Sequence, residues 1–365
     1  MRHYESLDLV KLAAAFLVVA IHTGPLLSLS PYADFLLTGI FARLAVPFFF
    51  MASGYLLFRK LTGDARMDGL KVQRYMYKVT ALYAVAIIIY LPLNLYKGDF
   101  GLDWSLPSAA ADLVWNGTFY HLWYLPALMM GAGIVYFMQK YFSLAATLVA
   151  TILFYVVGLL GDSYYGFAIR SDGLKALYEA MFGWFDYTRN GLFFAPVFVA
   201  LGMLAARQTA QQNYEASGRP LLWTILFSLS LTGLFAEGMF VRAAEFPRHD
   251  SMYLMLLPAV YCLFRLALGL NARSFYWARP LSLWIYIFHP AAIVLVHGIA
   301  DVVRMDGLFI ENKLMHYVAV CLVSAGMSFI IVAARKKWFK RSPRTKVRPH
   351  TPSPARSRIR SKLLP

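Results

Sequence analysis

Lys11 and His22 stand eleven residues apart in the otherwise apolar run LDLVKLAAAFLVVAIHTGPLL. On a helix that is three turns, which puts both on one face about 16 Å apart along the axis. A cation near one end and an imidazole near the other describe a lined path better than a lipid anchor. The plainer alternative is that both merely pair inside a helical bundle. The next apolar run, FLLTGIFARLAVPFFFMASGYLLF, adds Arg43 and the Ser53-Gly54 pair. His121 and Trp123 follow in HLWYLPAL, Arg189 and Asn190 in TRNGLFFAP, and His289 in SLWIYIFHP. Imidazole exchanges protons near neutrality, so the histidines are the natural candidates for acid–base work. Lys11, Arg43, Arg189 and Arg265 are the basic residues within apolar runs, and no acid lies deep in any of them. A cationic interior suits an anionic or strongly polarised ligand, because buried charge requires partners. Snorkelling to the interface is the competing account for Arg189 and Arg265, and it fits Arg43 less well. Pro290 removes a backbone donor directly after His289 and frees a carbonyl inside that helix.

The elements that carry these residues are predicted to be membrane-spanning helices. Hydrophobic residues make up 59% of the 365-residue chain and charged residues only 15%, against about 25% in soluble proteins. Ten apolar segments, each near the ~20 residues a crossing needs, fall at 7–27, 35–58, 75–95, 120–138, 142–160, 189–206, 220–240, 252–270, 280–300 and 316–334. The fold expected is all-α, a polytopic integral membrane bundle of about ten helices over 1–334, followed by a disordered basic tail over 335–365. Arg2 precedes the first segment as in a signal peptide, yet the segment is long, contains Lys11 and lacks a small-residue cleavage site, so it is expected to be retained. Cys262 and Cys321 both lie in apolar runs and make no disulfide framework or zinc motif. HExxH, GxSxG, Walker and GxGxxG patterns are absent, so a metal site and soluble nucleophile or nucleotide chemistries have no support.

Charge sets the expected orientation. With the N-terminus inside, the inner segments and termini hold 24 Lys or Arg against five acids, and the outer segments seven against fourteen. That asymmetry places both termini in the cytoplasm. The net charge of +16 is concentrated in the tail, where twelve Lys or Arg follow residue 334 with no acid. Such a tail is expected to lie on anionic lipids of the inner leaflet rather than on nucleic acid. In this orientation Lys11, Ser53 and Gly54 share an inner layer. His22, Arg43, His121, Trp123, Arg189 and Asn190 share the outer half, with His289 about midway.

The motifs LDLVKLAAAFLVVAIH, RLAVPFFFMASGY, HLWYL and IYIFHP resemble the acyltransferase-3 family of bacterial inner-membrane proteins. The resemblance covers essentially residues 5–334. It implies a ten-helix core that takes an acyl group from cytoplasmic acyl-coenzyme A, a co-substrate rather than a resident cofactor. The acyl group goes to a hydroxyl or amine, often on an envelope sugar. Within the family, GDSYYG and YTRNGLFFAPVF are more similar to the membrane domain of VanT-type serine racemases, which is thought to bring in serine. Only the basic tail follows the last segment here, so racemisation and its pyridoxal cofactor are not expected. The family's first-segment motif is Arg, ten residues, His; Lys11 replaces the Arg, and lysine lacks the planar bidentate fork.

On this reading His22 is the catalytic base. Lys11, Ser53 and Gly54 bind the donor. Arg43, His121, Trp123, Arg189, Asn190 and His289 line the acceptor side, His289 relaying a proton or holding a helix break. The rival is a carrier of serine or another small amino acid with the same cavity and no chemistry, its cations holding the carboxylate. A non-catalytic membrane partner of an envelope enzyme is the third reading.

Overall fold

The computed structural model describes residues 5–97, 105–211, 220–270 and 277–341, and among them every regular element is helical. Helix α1 (Glu5–Thr23) carries Lys11 and His22. Ser30 caps α2 (Pro31–Asp34) through its side chain. The chain continues through a π-helical stretch, Phe35–Ile40, and a 3-10 turn, Phe41–Leu44, into α3 (Ala45–Phe58). Next come α4 (Ala65–Lys97), the short α5 (Leu106–Ala111), α6 (Tyr124–Tyr141) and α7 (Leu144–Leu160). The small helices α8 (Tyr165–Ala168) and α9 (Asp172–Phe182) lead to α10 (Ala195–Gln211) and α11 (Pro220–Ala243). The last are α12 (Leu256–Gly269), α13 (Ala278–Val303) and α14 (Lys313–Arg341).

A helix lies in each of the ten expected stretches. Six are long and apolar enough to cross a bilayer: Glu5–Thr23, Pro31–Phe58, Ala65–Tyr96, Pro220–Ala243, Ala278–Val303 and Lys313–Ala334. Leu144–Leu160 and Leu256–Gly269 are apolar but shorter. The molecule is a helical membrane protein. The basic tail lies outside the described residues from 342 onward, and so does Arg2.

The core forms around two helix pairs. Helix α3 lies against α10, where Gly54 and Gly202 let the backbones meet. A Cβ on Gly54 would come 2.4 Å from the Val199 carbonyl oxygen, and one on Gly202 2.2 Å from that of Met51. Small residues at a close crossing are how lipid-embedded helices gain packing. Helix α1 lies in the angle between α3 and α13, with α14 behind. This fixes the face of α1 that bears His22 against the Pro290 region of α13.

Candidate active site

Three local irregularities bring the polar residues together. The first is in the second span. Its helix changes from π to 3-10 at Ile40, which leaves α-helical geometry at φ −123° and ψ −69°. The Gly39 carbonyl is taken by the Tyr253 hydroxyl at 2.9 Å. The break turns Arg43 inward, and irregular backbone at membrane depth is tolerated where protein encloses it.

The second is at Pro290. Proline cannot bond the Tyr286 carbonyl four residues back. His289 Nδ1 lies 2.9 Å from that oxygen and 3.3 Å from the Ile285 oxygen. A carbonyl only accepts, so Nδ1 carries the proton and Nε2 of the neutral ring is left as an acceptor. Tyr90 enters the same break, donating to the Ile287 carbonyl at 2.5 Å and accepting from the Ala291 N–H at 3.3 Å.

The third irregularity precedes α6. Gly117 turns the chain at φ +83°, and a Cβ there would lie 2.3 Å from the Trp123 nitrogen. His121, Leu122 and Trp123 then form a turn, and the helix begins only at Tyr124. The Tyr286 hydroxyl donates to the His121 carbonyl at 2.6 Å, tying this turn to α13.

These features border a small, partly open cavity of about 40 Å³ that His22, Arg43, His121, Trp123, Tyr124, Arg189 and Ser251 line. The His22 ring stacks on His289 at 5.2 Å and lies 4.8 Å from Tyr120. His121 meets His289 edge-on at 5.2 Å. The Arg189 guanidinium lies over Tyr187 at 4.3 Å and Trp123 at 5.1 Å. Among the described residues, neither nitrogen of His121, nor Nε2 of His289, nor Nε of Arg43 or Arg189 has a hydrogen-bond partner, although all these atoms are buried. Leaving such atoms unpaired costs about 1–3 kcal/mol each. Among the described residues no carboxylate lines the cavity. Among the described residues, no group of three or more His, Cys, Asp or Glu is placed to hold a metal ion.

Asp162 stands behind this wall, in the turn after α7. Its Oδ1 accepts from the Ser251 and Met252 N–H groups at 2.8 and 2.9 Å, and from the Ser163 hydroxyl at 3.1 Å. Its Oδ2 is buried without a partner. Burial pushes the carboxyl up to about 6, against the opposing pull of the Ser251 N–H, Arg189, Ser163 and Arg43.

Of the residues expected on the acceptor side, Arg43, His121, Trp123 and Arg189 line one cavity with His22, and His289 backs it. Asn190 does not line it. Its amide donates to the Tyr187 carbonyl and its oxygen accepts from the Leu192 and Phe193 N–H groups, so the side chain closes its own turn. Arg189 also lies outside the helix expected from residue 189, because α10 starts at Ala195. On the donor side, Lys11 is paired with Asp8 at 2.5 Å. Gly54 is occupied by its contact with α10, and Ser53 Oγ lies 3.5 Å from the Tyr124 hydroxyl. None of the three lines the histidine cavity. Tyr90, Tyr124 and Tyr286 were not singled out in the sequence, although Tyr124 and Tyr286 belong to HLWYL and IYIFHP. Ser251 carried no sequence signal, and Asp162 appeared only as part of the GDSYYG motif.

The sequence model of the acyltransferase domain matches residues 4–333. The chain belongs to the acyltransferase-3 family. Among curated proteins it is 39% identical to an amino-acid racemase of Enterococcus faecalis over 333 residues, 90% of this chain and 45% of that one. It is 34% identical to a serine/alanine racemase of Enterococcus gallinarum over 353 residues, 94% of this chain and 48% of that one. The chain thus spans just under half the length of the curated relatives it matches. No solved structure matches it. The family assignment and the VanT-type likeness agree with the motifs, and acyltransferase-like membrane function follows at the level of the family.

Proposed function

We propose that the chain is a membrane acyltransferase that moves an acyl group, acetyl in the simplest case, from acyl-coenzyme A to a hydroxyl or amine of a small acceptor or envelope sugar. The carrying observation is the placement of His22: it opens on a cavity with two guanidinium groups and, among the described residues, no acid. In this reading the imidazole of His22 takes the acceptor proton as the acceptor oxygen or nitrogen attacks the thioester carbonyl. Arg43 or Arg189 stabilises the oxyanion that forms. The carbon–sulfur bond then breaks, and the proton on His22 passes to the leaving thiolate, restoring the base. His289 positions His22 by ring stacking, with its own Nδ1–H fixed on the backbone. The donor reaches the site from the end of the bundle where Lys11 lies.

The proposed setting is a bacterial inner membrane, crossed ten times, with both termini cytoplasmic and the basic tail on anionic lipid. Reporter fusions after residues 110, 175 and 310 should read external, and fusions after 65, 212 and 345 internal. An external reading at the tail would invert the two ends of the site.

A second reading is carriage of serine or another small amino acid without chemistry. It is favoured by the two guanidinium groups of the cavity, which match a carboxylate. Acyl product and serine uptake measured side by side on the purified, reconstituted chain separate the two. Uptake without coenzyme A binding would remove the enzyme reading.

A further inference from the structure

A second, larger cleft of about 630 Å³ lies at the opposite end of the bundle from His22. It forms between the α3–α4 turn and the C-terminal ends of α6 and α10, and it shares no lining residue with the histidine cavity. Arg59, Lys140 and Arg207 line it. The acid in its wall, Asp68, is already occupied. Its carboxylate accepts from the Thr62 and Gly63 N–H groups at 2.8–3.0 Å and pairs with Lys71 at 2.9 Å. Among the described residues no carboxylate lies within ion-pair distance of Lys140 or Arg207. Arg207 donates to the neutral Gln139, whose amide is fixed in turn by Thr147 at 2.6 Å. One of five guanidinium donors is thereby used and the group is held in place.

Lys140 lies over the Tyr136 ring at 5.8 Å. Beside the cleft, Phe137, Tyr141 and Phe142 are 59%, 66% and 54% exposed. Cations gathered at helix ends, next to bare aromatic surface, match a phosphate group at the depth where headgroups lie. We propose that this cleft is a phosphate site that seats a phosphate mono- or diester. The phosphate comes either from an anionic phospholipid headgroup or from a soluble phosphorylated donor. The second source rests on the acyl-coenzyme A reading above; the first does not.

The test uses the full chain in a neutral detergent and in nanodiscs. Retained phosphatidylglycerol and phosphatidylcholine are counted by native mass spectrometry, and coenzyme A binding is measured by calorimetry. Wild type is compared with Lys140→Gln/Arg207→Gln, Lys11→Gln and His22→Ala. Each lost cation should weaken a phosphate ligand about fivefold. The double variant should therefore lose tenfold or more for phosphatidylglycerol or for coenzyme A, with phosphatidylcholine unchanged. Loss for phosphatidylglycerol alone assigns the lipid source, and it holds even where wild type binds no coenzyme A. Loss for coenzyme A alone assigns the soluble donor. Arg207→Lys, which keeps charge, should keep most of the affinity. If the double variant binds both ligands as wild type does, the cleft is not a phosphate site. A coenzyme A defect confined to Lys11→Gln would then leave the donor reading standing and the cleft proposal overturned.

Discussion

Lys11 and His22 share one helix and differ in what surrounds them. At the Lys11 end the buried cation has Asp8 one turn away, and the pair closes at 2.5 Å. At the His22 end, His121, His289, Arg43 and Arg189 present buried nitrogen atoms with no hydrogen-bond partner among the described residues. Both ends bury polar groups in a bundle, yet only one satisfies them internally. A satisfied pair is what a structural role requires. Several unsatisfied donors and acceptors around one cavity cost stability and are accounted for by a ligand that completes them. Residue type and spacing alone made the two ends look equally functional.

The sharpest break of this comparison is at His22. His22→Ala should leave a folded, inserted protein and lower acyl product formation by about a hundredfold to ten-thousandfold. His22→Gln keeps hydrogen bonding but cannot cycle a proton, so it should fail to the same extent. Product formation that survives in the Gln variant would remove the base assignment, and serine uptake that survives there points to carriage.

The next largest effect concerns pH and Asp162. Its carboxyl is held at about 6, above the roughly 3.9 of an unfolded aspartate. The raised value means that the neutral form stabilises the fold. That contribution is complete below about pH 4 and lost as pH rises through 6, and it amounts to at most about 3 kcal/mol. Asp162→Asn keeps the acceptor for the Ser251 and Met252 N–H groups and removes the titration. Its melting temperature should therefore gain on wild type between pH 4.5 and 7. Melting temperatures that stay parallel across that range would show that Asp162 titrates as an unfolded aspartate does and is not held neutral by burial.

The sequence disclosed the helices well because a run of apolar residues is a local signal. It also disclosed the site's main side chains, because His22, Arg43, His121, Arg189 and His289 are polar residues inside such runs. What it could not disclose is pairing across the bundle. Arg265 appeared as one of the interior cations, yet it bonds Gln208 and lies over Trp223 at 4.7 Å, so it belongs to a satisfied cluster like Lys11. Asn190 sits next to Arg189 and looked equivalent to it, but its side chain closes a turn that exists only because α10 begins at Ala195. Asp162 and Ser251 meet through a contact between distant loops, which no local pattern records. Pro290 did announce a freed carbonyl, although the hydrogen bond it accepts from His289 Nδ1–H depends on the rotamer of that ring.

Arg43 sharpens the comparison from the cavity side. Arg43→Met removes a partly buried cation that forms no ion pair among the described residues, so the fold should lose little and can gain stability. Affinity for a carboxylate- or phosphate-bearing acceptor should fall about tenfold to a hundredfold, the range for hydrogen bonds to a charged group. Calorimetry and thermal unfolding on the same sample check both. A clear loss of stability with unchanged ligand affinity would make Arg43 structural and dissolve the contrast with Lys11.

The smallest effect is expected at Lys11 itself, and it needs a double-mutant cycle to read. Lys11 and Asp8 have side chains 11% and 19% exposed, so solvent screens the pair only in part. Asp8→Asn leaves a largely buried ammonium without its counter-charge and should cost about 1–2 kcal/mol, between the surface and deeply buried cases. Lys11→Met strands the carboxylate and should cost a similar amount. With both changed, neither charge remains, and the loss should shrink to less than about 1 kcal/mol, giving a favourable coupling energy. Coenzyme A affinity should follow stability, weakened at most about threefold in the double variant. If stability recovers in the double variant while coenzyme A binding falls tenfold or more, Lys11 touches the donor directly. The ion pair would then be the resting state of a binding residue rather than a finished structural contact.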